Sequence, residues 1–289
     1  MDGKLVAEKI KAELKLESSR LIDAGIDPHL VAILVGDDPA SHTYVKNKEK
    51  ACHEAGIVSS VYRQSASMTE KELLTMIDFI NNDPDVHGMI VQLPLPGHIS
   101  PDKVIQKINP AKDVDGFHPV NIGRMVQGVP AYLPATPFGI MKLLEHYKVE
   151  TEGKHCVVLG RSNIVGTPIS ILMSRKANPG NATVTLCHSK SLNLAEITRE
   201  ADILIAAIGQ QGFVKADMVK EGAVVIDVGM HRVPSIETKS GYRLTGDVDF
   251  AGVSRKASLI TPVPGGVGPM TIVSLLYNTI LAARKEISY

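Results

Sequence analysis

The stretch "KHCVVLGRSNIVGTP" (residues 154–168) decides the fold class of this chain. An apolar run typical of a buried strand ends at Gly160, and a helical pattern begins near Gly166. A strand, a glycine turn and a helix N-terminus in this order present free backbone N–H groups to a phosphate. The turn departs from the Gly-x-Gly-x-x-Gly pattern of dinucleotide-binding folds, because Arg161 and Ser162 stand where a second glycine is expected.

The end of the following strand indicates which nucleotide this turn binds. Turns that prefer NAD usually have an acidic residue there for the ribose 2′-hydroxyl, whereas "TLCHSK" offers His188, Ser189 and Lys190. The segment has no carboxylate that would repel a 2′-phosphate, and the Arg161 guanidinium matches phosphate oxygens well. The two segments together predict NADP as the cofactor, although the turn alone is equally compatible with an ordinary strand-to-helix connection.

Strand and helix patterns alternate along both halves of the chain. In the first half, the apolar segments "HLVAILVG", "VSSVYRQ" and "GMIVQLPLP" are separated by helical patterns, one with Ser41 as its predicted cap and one with a capping box of Thr69 and Glu72. Four further apolar segments follow a passage rich in proline and glycine (109–139), and a last helix is predicted over residues 269–288. Strands separated by helices pair in parallel, so the sequence predicts an α/β fold with parallel sheets.

Composition excludes several classes of protein. The 289 residues, 44% of them hydrophobic, can bury one large core or two medium ones. The 31 basic and 31 acidic residues cancel, so we expect no nucleic acid and no membrane surface as a partner. The start of the chain lacks the apolar stretch of a signal peptide, and no later segment has the length of an uncharged membrane span, which predicts a cytoplasmic protein. The three cysteines are scattered singly, which favours reduced thiols over disulfides or a metal site.

Polar residues stand out in three segments of the first half. Tyr44 and Lys48 are four residues apart and share one face of a predicted helix, although such a pair is common by chance. The Tyr-x-x-x-Lys pair of short-chain dehydrogenases follows the glycine turn, whereas this pair precedes it, which argues against that family. Gln92 lies at the carboxyl end of a buried strand, where ligands of parallel sheets collect. Asp113 and Asp115 lie at a glycine turn, and the alternative for Asp115 is a carboxylate that bonds its own backbone.

The segment "ITPVPGGVGPMT" (260–271) combines three prolines and three glycines directly before the last predicted helix. So much conformational restriction indicates a backbone that approaches a ligand closely. A rigid crossover between domains is the competing interpretation, and the two are compatible.

Six segments in this order, "YVKNK", "VQLPLP", "KDVDGFHP", "GRSNIVGTP", "CHSK" and "TPVPGGVGPMT", resemble the methylenetetrahydrofolate dehydrogenase/cyclohydrolase family of the bacterial FolD type. The resemblance implies a homodimer whose subunits have two α/β lobes flanking a cleft, an N-terminal folate-binding lobe and a Rossmann-type NADP-binding lobe with a parallel sheet. It implies a folate-binding catalytic domain at residues 1–143, completed by the C-terminal helix at 269–289, and an NADP-binding domain at 144–268. The implied substrates are tetrahydrofolate derivatives.

The resemblance also implies a reaction and a set of site residues. The enzyme would oxidise 5,10-methylenetetrahydrofolate with NADP⁺ and then hydrolyse the methenyl product to 10-formyltetrahydrofolate. The implied catalytic residues are Lys48, Tyr44, Gln92 and Asp115. The implied folate-binding residues are Tyr44, Lys48, Val91, Gln92, Leu93, Asp115, Pro264, Gly265, Gly266 and Val267. The implied NADP-binding residues are Gly160, Arg161, Ser162, Ser189 and Met230, the last in place of an isoleucine common in the family.

These roles make chemical sense. A carboxylate at Asp115 can accept two parallel hydrogen bonds from the pterin ring. A lysine with an ordinary pKa of roughly 10.4 is a poor base at neutral pH, but desolvation in a site lowers that pKa. Two alternatives stay open at this point: a dehydrogenase without the hydrolase step, and a non-catalytic folate-binding protein of the same fold.

Overall fold

A computed structural model describes residues 1–236, 238 and 241–289. The chain divides into two compact units, one formed by Met1–Ala7 with Thr136–Thr271 and the other by Glu8–Ala135 with Ile272–Tyr289. Which unit binds folate and which binds NADP, with the domain bounds implied by the resemblance, stays a prediction at this point.

The described elements are ten strands, ten α-helices and two short 3-10 turns. The strands are β1 His29–Val35, β2 Val58–Gln64, β3 Gly88–Val91, β4 His155–Leu159, β5 Thr183–Cys187, β6 Ile203–Ala206, β7 Val224–Asp227, β8 His231–Pro234, β9 Tyr242–Thr245 and β10 Leu259–Ile260. The helices are α1 Gly3–Asp23, α2 Pro39–Glu54, α3 Glu70–Asn81, α4 Pro101–Lys107, α5 Pro119–Gln127, α6 Ala135–His146, α7 Gly166–Ser174, α8 Leu194–Arg199, α9 Phe250–Val253 and α10 Val267–Ala283. The 3-10 turns are Pro110–Lys112 and Ala216–Met218.

The unit of Glu8–Ala135 and Ile272–Tyr289 contains a three-stranded parallel sheet in the order β2-β1-β3. The central strand β1 is buried on both faces because its side chains alternate between two apolar clusters. Leu30 and Ala32 pack in a cluster with α2 and α10, while Val31 and Ile33 pack in a cluster with α3. The apolar run of β1 therefore joins the two halves of this unit's core.

The unit of Met1–Ala7 and Thr136–Thr271 contains a five-stranded parallel sheet in the order β10-β7-β6-β4-β5. The chain adds β5 on one side of β4 and then β6 on the other, so the strand order reverses beside β4. Ligands of open parallel sheets bind at the carboxyl ends of the strands at such a reversal. The glycine turn after β4 lies at this position, and the predicted α/β fold with parallel sheets is confirmed.

Several element boundaries differ from those predicted. The capping box of Thr69 and Glu72 is present at α3, but α2 begins two residues earlier than Ser41, since Asp38 caps it and accepts the Ser41 N–H at 2.8 Å. The last helix begins at Val267 and ends at Ala283 rather than spanning 269–288. The two-residue strand β10 and the antiparallel hairpin β8–β9 were not predicted. A strand of two residues shows no periodicity, and β8 and β9 lack the continuous apolar run by which β3, β6 and β7 were predicted.

Within the part of the chain that the structure describes, no helix combines the length and the apolarity needed to span a membrane.

Candidate active site

Lys48 is a buried amine on α2, with only 5% of the residue exposed. Its Nζ atom lies 4.7 Å from the centroid of the Tyr44 ring, one helical turn away. The same atom donates a hydrogen bond of 3.4 Å to the Oε1 atom of Gln92, which follows β3. The Gln92 amide in turn donates to the Leu93 carbonyl at 2.7 Å, and this contact fixes the orientation of the amide. The structure thus brings Tyr44, Lys48 and Gln92 together at the carboxyl end of a parallel strand.

Burial shifts the pKa of the Lys48 amine and the pKa of the Asp115 carboxylate in opposite directions. Desolvation lowers the pKa of Lys48, and the negative charge of Asp115 opposes this shift. Desolvation raises the pKa of Asp115, and the positive charge of Lys48 opposes that shift. Each group therefore has a more accessible neutral form than it would have in water.

Asp115 is held by its backbone, and its carboxylate is left available. The Asp115 carbonyl accepts the Ala135 N–H at 3.2 Å. The next residue, Gly116, has φ of +73°, and a Cβ atom there would lie 2.6 Å from the backbone of Leu133. Throughout residues 1–236, 238 and 241–289, no group donates a hydrogen bond to the Asp115 carboxylate. A partly buried carboxylate with no donor of its own is suited to a ligand's N–H groups.

The neighbouring acid, Asp113, is the carboxylate that bonds the turn. It is buried and accepts hydrogen bonds from the Phe117 N–H at 3.2 Å, the His118 N–H at 2.8 Å and the Asn121 side chain at 2.8 Å. Burial raises its pKa to about 7, with these hydrogen bonds opposing the shift. The backbone-bonding role considered for Asp115 in the sequence therefore belongs to Asp113.

Sequence reasoning missed a residue that holds the Asp115 turn. Asn278 on α10 is buried and donates two hydrogen bonds, to the Val114 carbonyl at 2.8 Å and to the Leu133 carbonyl at 3.0 Å. These carbonyls belong to the two segments that pack against each other at Gly116. In the sequence, Asn278 appears only as a single amide in the apolar run "LLYNTIL", and this pattern does not indicate which residue it would bond.

The glycine turn after β4, in the five-stranded sheet, is shaped by close backbone contacts. Gly160 has φ of +109°, and a Cβ atom there would collide with the Ala207 carbonyl oxygen, which follows β6. A Cβ atom on Gly166 would collide with the carbonyl of Gly160. The Ser162 hydroxyl accepts the N–H groups of Val165 at 3.2 Å and Gly166 at 3.4 Å, at the start of α7. Only glycine therefore fits at positions 160 and 166 of this strand-to-helix turn.

The nucleotide-binding residues predicted from the sequence lie along one edge of the five-stranded sheet. The Gly160 N–H donates to the Cys187 carbonyl at 2.9 Å, so Arg161 and Ser189 follow adjacent strands. Both side chains are exposed, and no residue in the described part of the chain pairs with the Arg161 guanidinium. Met230 follows β7 and is 56% exposed. A free guanidinium, a hydroxyl and a glycine turn at a helix N-terminus fit a phosphorylated nucleotide.

The segment before α10 packs against the start of the chain. The Gly265 carbonyl accepts the Lys4 N–H at 3.0 Å, and a Cβ atom on Gly3 would collide with the Gly266 carbonyl. Gly265 has φ of +103°. A positive φ therefore accounts for Gly265, and at Gly266 a Cβ atom would lie 2.5 Å from the Pro262 carbonyl oxygen. The folate-binding role implied for Pro264–Val267 stays a prediction.

Comparison with known proteins gives a family for both parts of the chain. Residues 1–115 match the family model of the catalytic domain of tetrahydrofolate dehydrogenase/cyclohydrolase, and residues 134–287 match the model of its NAD(P)-binding domain. The chain is 59% identical over 288 residues to the bifunctional protein FolD of Bacteroides fragilis, covering 99% of this chain and 98% of that protein. It is 58% identical over 287 residues to the corresponding protein of Cytophaga hutchinsonii, covering 99% of each.

Solved structures support the same family assignment. The bifunctional methylenetetrahydrofolate dehydrogenase/cyclohydrolase of Campylobacter jejuni superposes with a TM-score of 0.92 at 50% identity, covering 99% of this chain and 98% of that one. The enzyme of Trypanosoma brucei, solved with NADP cofactor and an inhibitor, superposes with a TM-score of 0.94 at 38% identity, covering 100% and 98%.

Proposed function

The chain belongs to the tetrahydrofolate dehydrogenase/cyclohydrolase family, and from that premise we propose how its residues carry out the two reactions. It is a bifunctional enzyme that oxidises 5,10-methylenetetrahydrofolate to the methenyl form and hydrolyses that product to 10-formyltetrahydrofolate. The observation that carries the proposal is the buried Lys48 amine, which contacts the Tyr44 ring and Gln92 and interacts electrostatically with the Asp115 carboxylate.

Asp115 orients the folate. No group among the described residues donates a hydrogen bond to either oxygen of its carboxylate, and these oxygens accept two parallel N–H groups of the pterin. Tyr44 provides an aromatic wall for the flat ring system. Val91 and Leu93 complete the folate site in this proposal.

The carboxyl ends of the strands in the five-stranded sheet would hold NADP. Gly160 and Ser162 shape the turn that would receive the diphosphate, Arg161 and Ser189 would bind the 2′-phosphate, and Met230 would contribute its backbone. When bound, the cofactor supplies a hydride acceptor, and the chain's residues need only orient it and exclude water.

Lys48 is the base of the hydrolytic step. The lowered pKa gives its amine a larger neutral fraction than that of an ordinary lysine. The neutral amine accepts a proton from the water that attacks the cationic methenyl carbon, and Gln92 holds the amine in place through its 3.4 Å hydrogen bond. Hydrolysis opens the bond from this carbon to one ring nitrogen, leaves the formyl group on the other nitrogen and releases one proton.

A two-part assay tests this function. Wild-type enzyme with 5,10-methylenetetrahydrofolate and NADP⁺ is expected to form reduced cofactor and 10-formyltetrahydrofolate. Lys48→Met is expected to abolish hydrolysis of added methenyl substrate, because the base is removed, whereas Lys46→Met, an exposed lysine of the same helix, keeps it. Hydrolysis by Lys48→Met above the uncatalysed rate would contradict the assignment.

The same assay separates the two alternatives. Accumulation of the methenyl product by the wild-type enzyme would indicate a dehydrogenase without the hydrolase step. Binding of folate with no reduced cofactor at all would indicate a non-catalytic folate-binding protein.

We further propose a homodimer in the cytoplasm that supplies formyl groups for purine biosynthesis. The supporting feature for the dimer is β2, an edge strand that pairs with β1 alone among the described strands and exposes Val58 and Tyr62. Support for the cytoplasm comes from Cys52, Cys156 and Cys187, which are all buried as free thiols.

A further inference from the structure

A fully buried carboxylate lies beneath the loops at the carboxyl edge of the five-stranded sheet. Asp247, in the loop after β9, is 0% exposed. Its Oδ2 atom accepts the backbone N–H groups of Ile208 at 2.8 Å and Gly209 at 3.0 Å, in the loop after β6. Its Oδ1 atom accepts a hydrogen bond of 2.8 Å from His231 Nε2 at the start of β8. One side chain thus fixes the loop after β6 to the segment that follows β7.

A second buried carboxylate extends this arrangement. Asp227, the last residue of β7, accepts the N–H groups of Gly229 at 3.0 Å, Asp247 at 2.9 Å and Val248 at 3.0 Å. The Asp227 N–H donates to the Thr261 hydroxyl at 2.8 Å, directly after β10. The two acids therefore join the ends of β6, β7 and β10 by hydrogen bonds that all lie within one unit.

The backbone around the two carboxylates leaves no room for side chains. A Cβ atom on Gly229 would collide with the Asp247 side chain, and one on Gly246 would collide with the Asp227 carboxylate. The loop after β6 also touches the nucleotide turn, since the Ala207 carbonyl occupies the space that a Cβ of Gly160 would need. Displacement of Asp247 therefore disturbs both the 207–209 loop and the 228–230 loop, and the latter contains Met230.

We propose that Asp247 is a positioning residue for the nicotinamide cofactor, because its carboxylate holds the loops at residues 207–209 and 228–230 in the arrangement that receives the nucleotide. This inference rests on the proposed use of that sheet edge for NADP. The residue itself is buried beneath the loops and acts through their backbone.

A partly buried hydrogen bond at the amino ends of the strands in the same sheet provides a matched control. Asp202 also accepts a backbone hydrogen bond, from the His155 N–H at 2.9 Å, and it pairs with Lys220. It ties the amino ends of β4 and β6, far along the strands from the nucleotide turn. Its removal destabilises the sheet without touching the loops that Asp247 holds.

The test measures binding of NADPH to the free enzyme by fluorescence titration, together with the thermal unfolding midpoint. Asp247→Ala is expected to raise the Kd on the order of ten-fold or more, because misplaced binding loops lose contacts steeply. Asp247→Asn keeps an acceptor oxygen for the Ile208 and Gly209 amides and is expected to recover much of the affinity. Asp202→Ala is expected to lower the unfolding midpoint while its Kd stays within about two-fold of wild type.

The outcomes are distinguishable. Wild-type enzyme that binds neither NADPH nor NADH would overturn the proposed function of the edge. Wild-type binding with an unchanged Kd in Asp247→Ala, or an equal loss in Asp202→Ala, would overturn the positioning role alone. If Asp247→Ala does not fold, His231→Phe removes one donor to the same carboxylate, and weakened NADPH binding supports the role whereas wild-type affinity overturns it.

Discussion

At the scale of single residues, the balance between burial and charge sets the chemistry of Lys48. Burial disfavours the ammonium form and lowers its pKa, while Asp115 favours the ammonium form and raises it. A base must be unprotonated to act, so in the proposed mechanism the rate of hydrolysis is expected to rise as pH rises through the pKa of Lys48. In that proposal the Asp115 carboxylate would orient the folate and also reduce the neutral fraction of the Lys48 amine at a given pH.

This balance predicts the effect of Asp115→Asn on the pH profile. The substitution removes the charge that raises the pKa of Lys48, so the rising limb of kcat for methenyl hydrolysis is expected at lower pH than in wild type. The measurement is kcat at saturating substrate across pH, after subtraction of the uncatalysed rate. Asp102→Asn, at an exposed acid on α4, is expected to leave the profile unchanged. A rising limb at the same or higher pH in Asp115→Asn would refute the coupling.

Among the elements, β4, its glycine turn and α7 form the predicted nucleotide-binding motif. The choice between NADP and NAD depends on the segment after the neighbouring strand β5. The Gly160 N–H bonds the Cys187 carbonyl, so the turn and the 188–190 segment leave the sheet side by side. Neither segment has a carboxylate, and no group in the described part of the chain pairs with the Arg161 guanidinium. Arg161 and Ser189 follow adjacent strands of the sheet. This pairing of two turns, rather than either alone, favours a phosphorylated ribose.

Arg161→Ala is therefore expected to weaken NADP⁺ binding by roughly ten-fold or more, in line with the loss of hydrogen bonds between charged groups. NAD⁺ lacks the 2′-phosphate, so its affinity is expected to change much less. Isothermal titration of both nucleotides measures the ratio, with Arg199→Ala, an exposed arginine of α8, as the control. An equal loss for both nucleotides would show that Arg161 does not select the phosphate.

At the scale of the whole molecule, the chain returns to a unit that it left earlier. It departs from one unit at Ala135 and rejoins it at Ile272, so α10 supplies part of that unit's core and the Asn278 amide that clamps the Asp115 turn. The sheet of the same unit has β2 as one of its two outer strands. An edge with free N–H and carbonyl groups and exposed apolar side chains favours pairing with a second copy of the chain.

The double substitution Val58→Lys with Tyr62→Lys is expected to give a monomer, because two charges on one face of the edge strand oppose pairing with an identical strand. Sedimentation is expected to show the wild-type enzyme at twice the mass of the 31.1 kDa chain. Phe79→Lys, at a 74% exposed position on α3, serves as the apolar-to-charged control and is expected to remain dimeric. A wild-type monomer at micromolar concentration would exclude this dimer.

Local periodicity and local turn chemistry were enough to predict several features of the fold. Alternating strand and helix patterns specify parallel sheets, the Thr69 capping box starts α3, and helical spacing alone places Tyr44 and Lys48 on one face. Short elements escaped prediction, since β10 is two residues long within a segment rich in proline and glycine.

The different roles of the two acids depend on contacts that form on folding. The folded structure shows that Asp113 accepts the hydrogen bonds of the turn and that no described residue donates to the Asp115 carboxylate, because burial and donors come from the surrounding chain and not from the "KDVDG" motif. It also brought Asn278 to a carbonyl 164 residues away and Asp247 to amides 38 and 39 residues away. Such contacts leave no local pattern, since each needs a buried polar group to meet a partner that the chain reaches only after folding.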